Sequence, residues 1–232
     1  MKIIAMIPAR MGSKRIPKKN IRLLAGKPLL QYAIENAVNS GAFDEVWVNS
    51  ESEVIGELAK CCGVGFHKRP AELSGERATN NDFTREFLEC HECDYLVMVN
   101  PTSPLIFPET VADFVSFVRD GKYDTVLSVV EEYAECFFCG KPINFSVDRK
   151  VNSQDLVPVV KVVWALTAWK RETFLRYASL GKCATFSGEL GFFPIPFDQA
   201  VDIDTEAQWK LAEGILLARK IDNKETEYWG EK

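Results

Sequence analysis

Residues 2–20 read KIIAMIPARMGSKRIPKKN, in which a short apolar run is followed at once by a loop with five Lys or Arg residues and a Gly-Ser pair. The Ile-rich run is typical of a buried β-strand. In an open parallel sheet, ligands bind beyond the carboxyl ends of the strands, which is where this loop would lie. Gly12 allows close approach of the backbone, and the cations neutralise several negative charges at once. The segment therefore predicts the first strand of an α/β sheet with a site suited to a triphosphate.

The basic loop alone leaves other interpretations open. It matches neither a Walker A sequence nor a Gly-x-Gly-x-x-Gly fingerprint, and a solvated basic loop or a nucleic-acid patch would have a similar composition. The whole chain carries 28 Lys and Arg against 33 Asp and Glu, a net charge of -5, and its pI is near 5.3. This acidic balance, and the absence of aromatic residues within the loop, argue against nucleic acid as a partner.

The first 130 residues alternate apolar runs with amphipathic stretches. Four runs predict strands, at Lys2–Ile7, Glu45–Asn49, Tyr95–Asn100 and Thr125–Val130. Spacing near 3.6 residues predicts helices at Leu29–Ser40, Ser52–Cys62, Asn81–Cys90 and Pro108–Asp120. Gly63–Phe66 is compatible with a further short strand. The alternation indicates right-handed crossovers and a mostly parallel, doubly wound sheet.

The alternation breaks in the second half of the chain. Residues 131–160 form mixed short segments, for which we expect a small excursion, a hairpin or an arm, within one domain spanning 1–232. Regular structure then resumes. We expect an apolar run at Val159–Trp169, a helix at Glu172–Ser179, a turn through Gly188–Gly191 and a last helix at Thr205–Arg219. The charged tail after Lys220 is expected to fray.

The composition predicts an ordinary globular protein. Hydrophobic residues make up 47% of the 232 positions, and no window of 18 apolar residues exists to span a membrane. The first apolar run is too short for a secretory signal and has its basic residues on the wrong side. Seven cysteines, an odd number, fit a reducing compartment. We therefore expect a cytoplasmic protein.

Residues suited to zinc or to nucleophilic chemistry are few. Cys90–Cys93 and Cys136–Cys139 have zinc-type spacing, but they lie about forty residues apart and at opposite ends of the predicted parallel strands. We interpret them as buried or incidental thiols. His67 and His91 are the only histidines, and we expect neither to have the partners of a catalytic dyad.

The stretch from Ile7 to Asn20 resembles the signature loop of the cytidylyltransferases that activate acidic sugars, the acylneuraminate (CMP-sialic acid synthetase) family. Four further segments resemble that family's motifs in order and spacing: Arg69–Leu73, Asn100–Leu105, Gln154–Leu156 with Lys161, and Asp202–Glu206. The resemblance implies a three-layer α/β/α nucleotidyltransferase with a Rossmann-like, mostly parallel mixed sheet. It also implies a homodimer whose excursion closes over the neighbouring active site.

The family transfers CMP from CTP to a hydroxyl of an acidic sugar, here a nonulosonic, sialic-acid-like acceptor, and releases pyrophosphate with Mg²⁺ as cofactor. In-line attack on the α-phosphorus needs cations around the phosphates and a bridging divalent metal. The resemblance places the nucleotide on Arg10, Ser13, Lys14, Lys19, Asn20, Thr79, Asn80 and Asn100. It places the acceptor on Asn100, Thr102, Ser103, Gln154 and Lys161. Catalysis would rest on Lys19, Arg10, Asp202 and Asp204.

Asp202 and Asp204 also suit a metal site on chemical grounds. Two residues apart on an extended segment, their carboxylates would point to one side. Magnesium takes one or two carboxylates together with substrate phosphates. Thr205 and Glu206 equally describe an ordinary helix N-terminus, so a capping interpretation stays open for this segment.

Several positions depart from the family pattern, and most concern the acceptor. They are Asn100 in place of Gln, Ile106 in place of Arg, Glu76 in place of Asp, Lys161 in place of Arg, and Val163-Trp164 in place of Asn-Gly. Trp164 we interpret as core or subunit interface. The same chemistry on an octulosonic acid or a phosphonate-type acceptor therefore stays open, as does a non-catalytic nucleotide-binding protein. Lys19, Asp202 and Asp204 argue against the non-catalytic alternative.

Overall fold

The structure is a computed structural model that describes residues 1–75 and 77–221. Glu76, one of the departures from the family pattern, lies outside the described residues, as do residues 222–232 of the tail expected to fray. No helix in the described part of the chain has the length and apolarity needed to cross a membrane.

A seven-stranded mixed sheet forms the centre of the molecule. The described chain contains strands β1 (Ile3–Pro8), β2 (Leu23–Leu24), β3 (Lys27–Pro28), β4 (Glu45–Ser50), β5 (Gly65–Lys68), β6 (Tyr95–Val99), β7 (Thr125–Glu132), β8 (Phe137–Phe138), β9 (Lys141–Pro142), β10 (Val159–Lys170) and β11 (Leu190–Pro194). The main sheet has the order β11-β7-β10-β6-β1-β4-β5. β10 runs antiparallel to both of its neighbours, and the other pairs are parallel. The predicted mostly parallel sheet is confirmed.

Helices cover both faces of this sheet, and the described residues contain six α-helices. They are α1 (Leu29–Asn39), α2 (Glu53–Cys61), α3 (Asn80–Cys90), α4 (Pro108–Arg119), α5 (Arg171–Ser179) and α6 (Glu206–Ala218). Side chains of β1 alternate between faces: Ile3, Ala5 and Ile7 pack with α1, α2 and α4, whereas Ile4 and Met6 pack with α3 and α5. Because β1 is apolar on both sides, it lies in the interior of a three-layer α/β/α molecule.

The last helix anchors the loop that follows β1. Trp209 of α6 shares a buried cluster with Ile16 from the middle of that loop and with Leu24 and Ile203. Ile16 is fully buried between flanking basic residues that are exposed. Burial of an Ile side chain stabilises by about 1.5–3 kcal/mol. The basic loop is therefore held against the body of the protein.

β11 is a strand that the sequence did not predict. The turn expected through Gly188–Gly191 is wrong at its end, because β11 starts at Leu190 and pairs in parallel with β7. Gly188 makes the turn itself, with a φ of +68°. A five-residue edge strand ending in proline lacks the alternation that identifies a half-buried strand.

Residues 131–160 leave the main sheet and return to it. β7 continues to Glu132, the short strands β8 and β9 form a separate ribbon, and Ser153–Asp155 makes a single helical turn before β10 begins. Apolar side chains on this arm face solvent: Phe137, Phe138, Ile143, Val147 and Val157 are all exposed. That the chain forms one domain carrying this arm stays a prediction.

Candidate active site

Three loops meet beyond the carboxyl ends of β1 and β6. They are the basic loop after β1, the segment Asn100–Pro104 after β6, and residues 201–204 before α6. Backbone hydrogen bonds connect these loops to the sheet and to each other. Asn100 N donates to Ala165 O of β10 at 3.0 Å, and Ile203 N donates to Thr102 O at 2.8 Å. Residues 101 positions apart in the chain, Thr102 and Ile203, therefore share one edge of the sheet.

The first cavity at this edge has a volume of about 370 Å³ and a strongly basic wall. It collects eight of the predicted site residues: Arg10, Ser13, Lys14, Lys19, Asn20, Asn100, Thr102 and Asp204. Arg15 also lines it, which the sequence analysis did not include among the site residues. Four cations around one cavity make a site for a polyanion.

Lys19 connects the basic loop to the acidic segment. Its Nζ donates to Ile203 O at 2.6 Å and to Asp204 Oδ1 at 3.3 Å. Arg15 Nη2 lies 2.9 Å from the same carboxylate oxygen. The Lys19 side chain is only 12% exposed, against 67% for Arg15. Its ammonium is therefore fixed in position, whereas Arg15 lies at the surface.

Asn20 stabilises the loop from below. It is buried, and its Nδ2 donates to Arg10 O at 3.0 Å. Its Oδ1 is buried without a partner in the described structure. Asn20 thus lines the cavity and also holds the backbone of Arg10, a role that the sequence did not predict.

A second cavity of about 260 Å³ shares Pro8, Arg10 and Asn100 with the first. Asn80 lines it, as predicted for the nucleotide. Thr79 does not; it is the N-cap of α3, where its backbone N and hydroxyl both donate to Asp82 Oδ2, at 2.7 and 2.8 Å. The helix start accounts for Thr79 without a ligand.

Arg69 lines the second cavity, although it was not among the predicted site residues. It is 3% exposed and donates from Nε to Asn49 Oδ1 at 2.6 Å and from Nη2 to Asn49 O at 2.9 Å. Its guanidinium lies 4.2 Å from the centre of the Phe83 ring. Burial lowers the pKa of Arg69 to about 10. The sequence feature that could have identified Arg69 as a site residue is its position directly after a strand, at the carboxyl edge of the sheet.

Asp202 and Asp204 line neighbouring cavities of the site. Asp204 lines the first cavity, whereas Asp202 lines a third cavity of about 480 Å³. Burial raises the pKa of Asp202, the Thr102 hydroxyl beside it opposes this, and Asp204 adds to it. The Oδ1 of Asp202 is buried without a partner in the described structure. Residues 201–204 form no strand, and that the two carboxylates point to one side stays a prediction.

Thr205 begins α6, as the capping interpretation predicts. Its Oγ1 accepts a hydrogen bond from Gln208 N at 3.3 Å. Capping by Thr205 and a ligand role for the two preceding aspartates are compatible, because they use different side chains.

Of the five predicted acceptor residues, three line a cavity of the site: Asn100 and Thr102 the first, and Lys161 the third. Lys161 lines the third cavity with Asp202, and its Nζ forms an ion pair with Glu132. Ser103 is 2% exposed and lines none of the three cavities, because the turn closed by Ser103 N donating to Asn100 O places it inside the protein. Gln154 lies on the exposed helical turn of the arm, also away from the three cavities.

A family model for cytidylyltransferases matches residues 4–155, which include the basic loop, Arg69 and Asn100. The chain belongs to the cytidylyltransferase family.

The chain is similar to proteins whose names give different acceptors. N-acylneuraminate cytidylyltransferase A of Danio rerio is 32% identical over 223 residues, 93% of this chain and 51% of that protein. Pseudaminic acid cytidylyltransferase of Campylobacter jejuni subsp. jejuni is 30% identical over 223 residues, 88% of this chain and 92% of that one. The chain spans about half the length of the first curated relatives that it matches.

The fold of this chain is similar to the folds of solved structures. A CMP:2-keto-3-deoxy-manno-octonic acid synthetase complexed with CTP matches with a TM-score of 0.72 and 19% identity, covering 95% of this chain and 100% of that one. At this identity, the likeness concerns the fold alone.

The two histidines contact each other and a glutamate, which the sequence did not predict, and that they form no catalytic dyad stays a prediction. His67 Nδ1 lies 3.0 Å from His91 Nε2, and His67 Nε2 lies 2.9 Å from Glu86 Oε2. The sheet places β5 beside the C-terminal end of α3, which sequence separation conceals. The cluster lies one helix length, about 16 Å, from Asn80 at the start of α3.

The seven cysteines, which all lie in the described ranges, are free thiols. Cys61, Cys90, Cys139 and Cys183 are exposed and the other three are half-buried. Incidental surface thiols describe them better than the buried thiols that we considered. Burial raises the pKa of Cys93 to about 11, which makes that thiol a poor nucleophile.

Proposed function

We propose that this chain is a CTP-dependent cytidylyltransferase that transfers CMP to a hydroxyl of an acidic, nonulosonic (sialic-acid-like) sugar and releases pyrophosphate. The observation that carries the proposal is the basic first cavity, which adjoins the second cavity at Arg10 and Asn100 and approaches the third at Asp202. Triphosphate, nucleoside and acceptor would occupy these three cavities in that order. The names of the relatives support both the nucleotide and the acceptor class.

In the reaction, a bond forms between the acceptor oxygen and the α-phosphorus of CTP, and the bond to the β-phosphate oxygen breaks. The acceptor hydroxyl loses its proton, and pyrophosphate leaves. Lys19 and Arg10 would stabilise the charge that develops on the phosphates, as fixed donors do in a site prepared before the substrate arrives. Asn20 would hold Arg10 in place through its hydrogen bond to Arg10 O.

Asp202 and Asp204 are the residues that would hold Mg²⁺. The unpartnered, buried Oδ1 of Asp202 supports this, because a cation would supply the missing partner. Within the described ranges, no group of three or more His, Cys, Asp or Glu side chains is arranged to hold a metal. Two carboxylates would therefore need phosphate oxygens of CTP as further ligands, which is the arrangement magnesium prefers. The ion would neutralise phosphate charge.

A second copy of this chain is the partner that fits the arm. Phe137 and Phe138 are 60% and 71% exposed, more than a stable monomer usually leaves for adjacent aromatic residues. A homodimer would cover them. It would also bring Gln154, which does not line the acceptor cavity of its own subunit, within reach of the partner's.

The direct test is pyrophosphate release from CTP with Mg²⁺ across N-acetylneuraminic acid, an octulosonic acid and a phosphonate, with ATP, GTP and UTP as nucleotide controls. Release with CTP and a nonulosonic acid is expected. Release only with the octulosonic acid or the phosphonate would keep the chemistry and replace the acceptor. Clear CTP binding without release from any acceptor would favour a binding protein, and absence of CTP binding would overturn the proposal.

A further inference from the structure

The backbone of β10 carries an irregularity beside the third cavity. The register between β10 and β7 shifts between Val162 and Thr167. Within this bulge, Trp164 has a φ of +29°. A bulky side chain is a genuine outlier at positive φ, and bulges redirect side chains near active sites. Such strain persists only where the surroundings hold it in place.

The strained conformation makes Trp164 part of the cavity wall. Trp164 lines the third cavity together with Lys161 and Asp202. Its ring centre lies 5.7 Å from that of Phe186, at an angle of 60°. Trp164 is half-buried and its ring contacts that of Phe186, so the indole forms part of the cavity surface and does not lie in the core. A place at a subunit interface stays a prediction.

Most of the remaining wall is apolar. It is formed by Val130, Val162, Val163, Phe197, Ala200, Val201, Leu211 and Ile215, beside Asp198, Gln208 and the two charged residues already described. Lys161 is the one cation of this lining, and its position would suit the carboxylate of an acidic acceptor. A sugar hydroxyl turned toward the apolar part would lose its water without gaining a hydrogen bond, and this loss is unfavourable.

We propose that Trp164 is a specificity-determining residue that selects acidic sugars whose face toward it carries hydrogen, methyl or acyl groups in place of free hydroxyls. The inference rests on the proposed function, because it identifies the third cavity as the acceptor site. It concerns the choice between acceptors and leaves CTP binding unaffected.

The test compares two acceptors that differ on one side of the molecule: N-acetylneuraminic acid and its 7-acetamido-7,9-dideoxy derivative. The wild-type protein is expected to use the deoxy, acylated acceptor with a higher kcat/KM. Trp164→Asn keeps a residue that tolerates positive φ but removes the apolar wall. We expect this variant to lower the ratio of kcat/KM for the deoxy, acylated acceptor to kcat/KM for N-acetylneuraminic acid by about tenfold or more. This is the range over which a hydrophobic pocket discriminates between substrates.

Two further variants make the result specific. Trp164→Phe keeps an aromatic wall and should retain the preference within about threefold, a difference below the tenfold discrimination at issue. Leu180→Asn replaces an exposed apolar residue at the C-terminal end of α5, outside the lining of the three cavities, and should leave the ratio unchanged. CTP affinity, measured by calorimetry, should be the same in all four proteins and shows that each variant is folded.

The outcomes separate the inference from the function. Pyrophosphate release that is equal for both acceptors, or a ratio that Trp164→Asn does not change, would overturn the role of Trp164 and leave cytidylyl transfer intact. If Trp164→Asn does not bind CTP, the inference is tested by the kcat/KM ratio of the two acceptors in the wild type and in Trp164→Phe. A wild type that shows no preference between the acceptors contradicts the inference. Release from neither acceptor would instead count against the proposed function.

Discussion

Lys18 and Lys19 are neighbours in the basic loop but have different surroundings. Lys19 is nearly buried and contacts Ile203 O and Asp204, whereas Lys18 is exposed and has a φ of +53°. Lys19 was predicted as a phosphate contact from its motif. The sequence did not predict that its ammonium would be fixed between the loop and the acidic segment.

Replacing Lys19 by Met should therefore reduce kcat by about 10²–10³-fold, because a fixed donor to the developing charge is lost. Pyrophosphate release from CTP measures this. Lys18→Asn is the matched control: it removes the same charge, and Asn tolerates the positive φ. We expect the control to keep kcat within about threefold, far less than the loss of a fixed donor. Equal losses in the two variants would assign the effect to the net charge of the loop.

Arg69 and Asn20 show that a motif does not reveal the hydrogen-bond partners of its individual side chains. Both stand in segments that the sequence analysis recognised, yet their hydrogen bonds to Asn49 and to Arg10 O depend on neighbouring strands and loops. A local pattern predicts that such a residue lies at the sheet edge. It does not say whether the side chain faces a ligand or supports the backbone of another residue.

At the scale of elements, the turn between α5 and β11 is determined by contact with a third element. Gly188 has a φ of +68°, and a Cβ there would overlap the carboxylate of Asp124. That carboxylate accepts hydrogen bonds from Glu189 N at 3.0 Å and from the Thr173 hydroxyl at 2.7 Å. The start of β11 therefore depends on the absence of a side chain at this position.

We expect Gly188→Ala to destabilise the protein by about 2–4 kcal/mol, from positive φ together with overpacking. Gly181 has nearly the same φ, +66°, with open space around it. Gly181→Ala should cost about 1 kcal/mol, the backbone part alone. Urea unfolding of both variants measures the difference. Similar losses would mean that Asp124 moves aside and that the contact is unimportant.

The histidine cluster joins β5 to α3 and should make stability depend on pH. Burial lowers the pKa of His91, and the neighbouring His67 and Lys2 act in the same direction, while Glu45 and Glu86 oppose them. The folded protein thus favours neutral His91, whereas the unfolded chain binds a proton near pH 6.5. Stability from this group is present above about pH 6.5 and is lost as the pH falls toward the lowered pKa.

His91→Gln should accordingly show a smaller fall in Tm between pH 7.5 and pH 5.5 than the wild type. Thermal unfolding at both pH values gives the comparison, and the pH 7.5 measurement corrects for any packing lost with the ring. If the two proteins lose the same number of degrees, His91 does not carry the pH dependence.

In the whole molecule, the arm (residues 131–160) is the part whose apolar side chains a single chain leaves exposed to solvent. Its exposed Phe137 and Phe138 contrast with the fully buried aromatic residues Phe87 and Phe114 of the two core layers. We expect a particle of twice the 26.2 kDa chain mass in solution. Phe138→Asp should convert it to the mass of one chain, because burial of an unpaired charge opposes association.

Light scattering on a size-exclusion column measures both masses. Leu180→Asp, at a position 64% exposed on α5's end, is the control and should keep the larger mass. A wild-type protein with the mass of one chain, or a Phe138→Asp variant that keeps the larger mass, would contradict an interface at the arm.

The amino-acid sequence alone predicts the succession of strands and helices and the positions of the basic loop and the acidic segment. Most predicted elements agree with the structure to within one or two residues, because hydrophobic periodicity is a local property. Which residues meet depends on the tertiary structure. It buries Ser103, pairs His67 with His91 and adds β11. These outcomes depend on sheet register and packing between distant segments, about which local periodicity carries no information.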